Sequence, residues 1–336
     1  MSIIRRHTSR QKTPWDDEPV KTPLQDFLTQ HYRQHYQDKH PSLSKTGEAD
    51  LINTFVPDDC PFCSSPSYKM FGHTRNGIQR YRCLACGKTF TPITGTIYDG
   101  HKISVSEWME YILNIFRYIS ITADSWNNKN AFTTSRYWLE KLFLVLDDYQ
   151  QNIVLSDTVW LDETYYKVRS NDIVLTPAGK RMRGISANQL CIGVACDNHR
   201  DVCIWEGNGK PTQKKTYEAF KNHITVGSTL IHDKENAHKL LIKKLGLTDK
   251  AYDAKAIKAL PDSKNPLNRV NQVHARMKDF LNAHSSFNRD SLQGYLNLFT
   301  FAMNPPVGYL EKVEELLILT FKVRKTLRYR DFYAVK

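Results

Sequence analysis

At 336 residues the chain is long enough for two or three domains, one of them with a substantial core. Lys and Arg number 47 against 35 acidic residues, a net charge of +12 that suits a polyanionic partner and that a basic ribosomal or membrane-surface protein would share. No apolar run approaches the roughly 18 residues a membrane span needs. The opening Met1-Ser2-Ile3-Ile4-Arg5-Arg6 leads into no apolar signal region either, so a cytoplasmic protein is expected.

Residues 1–55 are polar and rich in His, Gln and Tyr, with a short helical possibility around Leu24 to Tyr36. His31 and His35 lie in this stretch, which reads as a solvated, partly helical tail or a minor metal-binding cluster. Residues 56–98 hold two cysteine hooks, Cys60-Pro61-Phe62-Cys63 and Cys83-Leu84-Ala85-Cys86. Each hook offers two thiolates on a tight turn, so the four together fit a closed tetrahedral Zn²⁺ site of the structural kind. Between them Tyr68 to Phe71 and Gln79 to Arg82 read as strands joined through Asn76-Gly77, the layout of a zinc ribbon. A redox dithiol is the rival, but such motifs come singly at a helix start. Arg75, Arg80, Arg82 and Lys88 either face phosphate or form a solvated face. The remaining Cys191, Cys196 and Cys203 sit on apolar stretches and read as small buried hydrophobes.

Residues 103–150 read as helices. Trp108, Ile112, Ile115 and Ile119 recur at helical spacing after Ser104 and Ser106. After a break near Asn127 to Asn130, Thr133 to Ser135 cap a second helix with Trp138, Leu142 and Val145 inward and Arg136 and Lys141 outward. The order fits a helix-turn-helix-like DNA-binding segment, and equally a plain helical linker.

From 157 to 304 strands alternate with helices: strands at Thr158–Tyr166, Gln189–Cys196 and Asp201–Glu206, a helix at Thr216–Ile224, a strand at Ser228–Asp233, and a helix from about Asn236 to Leu245. Three antiparallel strands, a helix and a further strand give the α/β ribonuclease-H-like order, as in retroviral integrases. That order lays the first and fourth strands side by side and converges Asp162 with Asp233. Two-metal phosphoryl transfer needs two divalent ions about 3.5–4 Å apart between shared carboxylates, which makes both residues candidate ligands for Mg²⁺ or Mn²⁺. A lone strand-end Asp often only caps a loop. Farther on, Arg269 to Lys278 looks helical, and Asn271, His274 and Lys278 share one face. Asn271 offers an amide oxygen to a magnesium shell and Lys278 an ammonium to phosphate; an ordinary solvated helix face is the bland alternative. Residues 305–336 form a basic C-terminal tail that includes Arg324, Lys325, Arg328 and Arg330.

The hooks, the run Arg80 to Thr91 with Thr94 to Thr96, then Asp162-Glu163-Thr164, Arg183-Gly184-Ile185-Ser186 and Asn271 to Lys278 together resemble bacterial insertion-sequence transposases. The similar subgroup is the zinc-ribbon one, insertion-sequence family fifteen-ninety-five, in its Asp-Asp-Asn-Lys variant. The resemblance runs in order from about residue 56 to 304. It implies Asp162 and Asp233 as metal-binding carboxylates, Asn271 where related transposases keep Glu, and Lys278 as the following basic residue. His274 also matches the pattern, with no role attached, and so does Glu163, which on a strand points away from Asp162. The implied activity is nicking at transposon ends followed by attack of the freed 3′-hydroxyl on target DNA. The partners implied are double-stranded terminal inverted repeats and target DNA, held by a homodimer or larger assembly. The linker Arg169 to Asn188 and the run Lys239, Lys243, Lys244, Lys255 and Lys258 would add a nonspecific electrostatic grip. A transposase-derived DNA-binding protein without catalysis is the alternative, with Asn271 as its support; a structure-selective nuclease is a third reading.

Overall fold

The computed structural model describes residues 48–100, 104–128, 130–284 and 288–334. The helical stretch expected around Leu24 to Tyr36 and the His31 and His35 cluster lie outside the described residues. The chain forms two compact units: one takes the residues up to Val145 together with those from Gly308 onward, and the other takes Leu146–Val307.

The first unit opens with helix α1 (Glu48–Asn53) and a three-stranded sheet of β1 (Tyr68–His73), β2 (Gln79–Cys83) and β3 (Thr89–Phe90). β1 and β2 pair antiparallel across a turn in which Gly77 holds a left-handed φ of +83°. That conformation is cheap only for glycine. The core of this sheet is small, with Cys60, Tyr81, Cys83 and Phe90 packed against Tyr68. Helices α2 (Val105–Phe116), α3 (Ile121–Asn127) and α4 (Phe132–Leu146) follow. Ser104 and Ser120 supply the side-chain caps of α2 and α3, and Glu48 accepts from the backbone N–H groups of Val105 (2.7 Å) and Ser106 (3.1 Å) at the positive end of α2. Trp108 of α2 stacks on Trp138 of α4 with ring centroids 5.1 Å apart.

One expectation for α4 is corrected here. Lys141 is not outward but 1 % exposed, its Nζ donating to the carbonyl of Ile97 and lying 4.9 Å from the Tyr137 ring centre. Lys141 borders the apolar stripe of Trp138, Leu142 and Val145, and the Ile97 carbonyl gives its ammonium a partner inside the core.

The second unit is built on a five-stranded sheet of β4 (Thr158–Lys167), β5 (Gln189–Cys196), β6 (Asp201–Asn208), β7 (Thr229–Asp233) and β8 (Thr248–Tyr252), in the order β6-β5-β4-β7-β8. β4, β5 and β6 form an antiparallel meander, while β7 and β8 run parallel to β4. This is the ribonuclease-H-like arrangement. Helices α5 (Gln213–Phe220) and α6 (Lys239–Leu245) cover one face, burying Phe220, Leu241 and Leu245 against Val159, Leu161, Ala195 and Leu230. After the short α7 (Ala254–Lys258), α8 (Asn268–Ala283) packs against β4 and β5, and α9 (Leu292–Met303) packs against β6. Cys191, Cys196 and Cys203 are buried in β5 and β6, as their apolar surroundings suggest.

β6 lies at one edge of the sheet, and side-chain amides satisfy its outward backbone groups at alternate residues. Asn304 exchanges hydrogen bonds with Asp201 (2.7 and 3.0 Å), Gln150 with Cys203 (2.7 and 2.9 Å), and Gln293 accepts from the N–H of Trp205 (2.9 Å). The edge is thereby closed to a foreign strand.

The chain then returns to the first unit with α10 (Tyr309–Lys322) and α11 (Tyr329–Ala334). Phe321 of α10 stacks on Phe55 at 4.1 Å, and the hydroxyls of Tyr98 and Thr320 lie 2.9 Å apart.

Candidate active site

The parallel ladder between β4 and β7 ends with Leu161 opposite His232, so Asp162 and Asp233 are the next residues on the two strands. Strand alternation sends Val159 and Leu161 into the α5 and α6 core and turns Trp160 and Asp162 to the α8 side, where the Trp160 indole donates to the carbonyl of Pro266 (2.9 Å). Helix α8 is pinned near both ends. Arg269 pairs with the buried carboxylate of Asp201 and donates to the carbonyl of Asp197 (3.1 Å), and Tyr166 reaches Asn282 (3.2 Å) at the other end. Held this way, α8 sets His274 Nδ1 3.9 Å from Asp162 Oδ2.

The electrostatics of this pair fit a divalent cation. Burial first, then the neighbouring charge of Asp233, pushes the Asp162 carboxyl up to about 7. His274, the side chain set against Asp162 on the α8 side, brings no counter-charge: burial pushes it down to about 4, with the Lys278 ammonium adding to the effect, so its ring is neutral. His274 Nε2 is buried with no hydrogen-bond partner among the described residues. Hard oxygen donors under mutual repulsion are a donor set that magnesium or manganese satisfies. The structure thus brings Asp162, Asp233 and His274 together. Asn271 and Lys278 stand exposed on the same stripe of α8, one turn before and one turn after His274.

Sequence reasoning missed what lies on the other face of β4. Glu163 turns into the α5 and α6 side and accepts from His238 Nε2 (2.9 Å); His238 Nδ1 meets His232 Nδ1 (2.8 Å), and His232 Nε2 donates to Asp249 (3.0 Å). Glu206 joins this buried polar layer, its carboxyl lifted to about 7 by burial and by Glu163, and accepts from Thr216 (2.8 Å). Gly193 makes room for it, since a Cβ there would sit 2.2 Å from Glu206 Oε1. The alternation of His232 with Leu230 on β7 was the available signal, but it reads equally as a core histidine.

In the first unit the four cysteine sulfurs converge. Cys60 Sγ lies 3.7 Å from Cys86 Sγ, and Cys63 Sγ lies 3.6 Å from Cys83 Sγ. Bonds of about 2.3 Å at tetrahedral angles separate sulfurs by about 3.8 Å, so four thiolates at this spacing fit zinc. The outer surface of the hairpin carries cations on aromatic rings: Arg80 and Arg82 lie 5.3 and 5.5 Å from the centre of Phe71, and Lys88 lies 4.7 Å from Phe62. In the second unit Lys180, Arg181 and Arg183 are exposed, as are Lys239, Lys243, Lys244, Lys255 and Lys258. No helix among the described residues is long and apolar enough to cross a membrane.

No protein-family model matches the chain, and no curated protein matches it. Among solved structures, a chain of the simian T-cell lymphotropic virus intasome in complex with PP2A regulatory subunit B56 gamma is similar over 57 % of this chain and 67 % of that one, at 11 % identity and a TM-score of 0.29. The Mos1 strand transfer complex is similar over 54 % of this chain and 57 % of its own, at 13 % identity and a TM-score of 0.28. The catalytic domain of the Mos1 mariner transposase is similar over 56 % of this chain and 93 % of its own, at 12 % identity and a TM-score of 0.25.

Proposed function

We propose that the chain is a DNA transposase that cuts and joins DNA strands by divalent-metal-dependent phosphoryl transfer. The observation that carries this reading is the position of Asp162 and Asp233 immediately past the last pair of the parallel β4–β7 ladder of a ribonuclease-H-like sheet, with His274 of α8 against Asp162. Asp162 and Asp233 would hold magnesium or manganese, with the Asn271 carbonyl as a further oxygen donor. The metal supplies activation of the attacking oxygen and charge relief at the leaving oxygen. Lys278 grips a phosphate beside the scissile bond, and neutral His274 orients the Asp162 carboxylate without competing for its charge.

In the first unit the cysteine ribbon of residues 56–98 holds zinc, and α2, α3 and α4 serve in helix-turn-helix order; both bind terminal inverted repeats. The exposed basic residues of the catalytic unit track phosphates of either end or target DNA. Acting on two ends calls for a dimer or larger assembly. The resemblance of the cysteine, Asp162 and Asn271 motifs to insertion-sequence family fifteen-ninety-five, in its Asp-Asp-Asn-Lys form, supports mobile-element ends as the substrate.

The test is a strand-transfer assay with duplexes carrying the flanking repeats, in Mg²⁺ or Mn²⁺, comparing wild type with Asp233→Ala and Asn271→Ala. Joining by wild type that Asp233→Ala abolishes supports the reading, and a further loss in Asn271→Ala makes the amide a needed ligand. End binding with no cleavage under either metal overturns it.

A further inference from the structure

The two buried histidines behind β4 and β7 are arranged in a way that a hydrogen-bonded core pair does not require. His238 and His232 are 0 % and 3 % exposed. An ionised carboxylate only accepts, so each Nε2 must donate: His238 to Glu163 at 2.9 Å and His232 to Asp249 at 3.0 Å. Both Nε2 protons are therefore committed, and in neutral rings both Nδ1 atoms carry lone pairs. Those lone pairs face each other at 2.8 Å. A carboxylate oxygen of Asp233 completes the group, with one donor atom from each of the three residues within 4.8 Å of the others. Converging lone pairs at that distance repel unless a positive charge lies between them.

We propose that His232, His238 and Asp233 form a binding site for a divalent transition metal ion of the zinc type. Two imidazoles and one carboxylate are a borderline nitrogen and oxygen donor set, which favours zinc over magnesium. Each imidazole already has the carboxylate behind it that metal-bound histidines carry, Glu163 for one and Asp249 for the other, fixing tautomer and ring orientation. Bonds of about 2.0–2.1 Å at tetrahedral angles put two ligating nitrogens about 3.3 Å apart, so the rings need to open by only about half an ångström. A single proton shared between the rings is the rival occupant, and the Asp233 carboxylate, which also accepts from the Glu235 N–H at 3.0 Å, distinguishes a metal site by offering it a third donor. The site ties β7 to β4 through Glu163 and to β8 through Asp249; it shares Asp233 with the proposed catalytic centre, and zinc binding without DNA tests it apart from strand transfer.

The experiment measures zinc stoichiometry and affinity on the full chain by competition with a chromogenic chelator, without DNA. Wild type should hold one equivalent beyond that taken by the four cysteines, and Co²⁺ should add visible d–d absorption without a matching rise in thiolate charge transfer. His238→Gln should lose that equivalent and keep the thiolate-bound one. Asp249→Asn changes a half-exposed side chain on an edge strand; it should keep the fold and the extra equivalent while weakening its affinity about 10- to 100-fold. A wild type that binds only the thiolate equivalent overturns the proposal. So does an Asp249→Asn protein of unchanged zinc affinity, or a low-field shared-proton resonance that persists at saturating zinc.

Discussion

Asp162 and Glu163 are consecutive on β4 yet serve opposite faces of one sheet: Asp162 stands 3.9 Å from His274 on the α8 side, and Glu163 bonds His238 at 2.9 Å beneath α5 and α6. The twofold alternation of a strand puts two polar sites back to back, with the backbone of one residue between them. Glu163 adds to the upward push on Asp162, after burial and Asp233.

Without a bound divalent ion, Asp162 keeps its proton up to about pH 7. The folded carboxyl then titrates above its unfolded value, so the folded chain binds more protons between about pH 4 and 7, and this group's contribution to stability falls as pH rises through that window. Asp162→Asn stays neutral throughout. Urea denaturation without added magnesium should show wild type losing more stability than Asp162→Asn from about pH 5 to pH 7.5, and magnesium should restore only wild type. Equal losses in the two proteins would mean that the fold does not raise the Asp162 carboxyl.

Much of the second unit is legible in the sequence because its strands are apolar and continuous. β4, β5, β6 and β7 stand within two residues of their expected bounds, and the β4 and β7 pairing that joins Asp162 with Asp233 follows from strand order alone. β8 was not legible: Thr248 to Lys250 are exposed and polar, and the strand exists only because β7 offers it a parallel edge. Lys141 and His238 failed to show for a related reason. A polar residue beside an apolar stripe reads as surface unless its distant partner, the Ile97 carbonyl or the Glu163 carboxylate, is known.

Lys141 gives a pH dependence of opposite sign. Burial lowers its ammonium to about 7, so between about pH 7 and 10 the unfolded chain binds more protons and this group's contribution to stability rises with pH. Lys141→Met removes the charge with an unbranched side chain one atom shorter. The difference in stability between wild type and Lys141→Met should move in favour of wild type as pH climbs from about 7 to about 9.5. A difference constant with pH would mean the amine is charged in the fold.

Phe321 tests whether the returning C-terminal helices stabilise the first unit. Its ring stacks on Phe55 at 4.1 Å and lies 4.7 Å from Tyr98, and the side chain is buried. Phe321→Ala should cost the first unit about 3–5 kcal/mol. Hydrogen exchange should show the loss around Phe55 and Tyr98 while β4 to β7 keep their protection. Unchanged exchange at Phe55 and Tyr98 would make α10 dispensable to that core.

The amide-capped edge of β6 yields the last prediction. Gln150 offers Cys203 both an acceptor for its N–H (2.7 Å) and a donor for its carbonyl (2.9 Å), and its amide also reaches Asn297 (2.7 Å). Gln150 is buried, so Gln150→Ala leaves a backbone N–H without its partner, at a cost of about 1–3 kcal/mol. Gln150→Glu keeps the acceptor and loses the donor, and it buries a charge as well. Urea midpoints should therefore rank wild type above Gln150→Ala and Gln150→Glu lowest. Because the unpaired group sits on a sheet edge, Gln150→Ala should also associate at concentrations where wild type does not, by light scattering. A variant with a lower midpoint and unchanged association would mean that Asn304 and Gln293, at Asp201 and Trp205, suffice to block the edge.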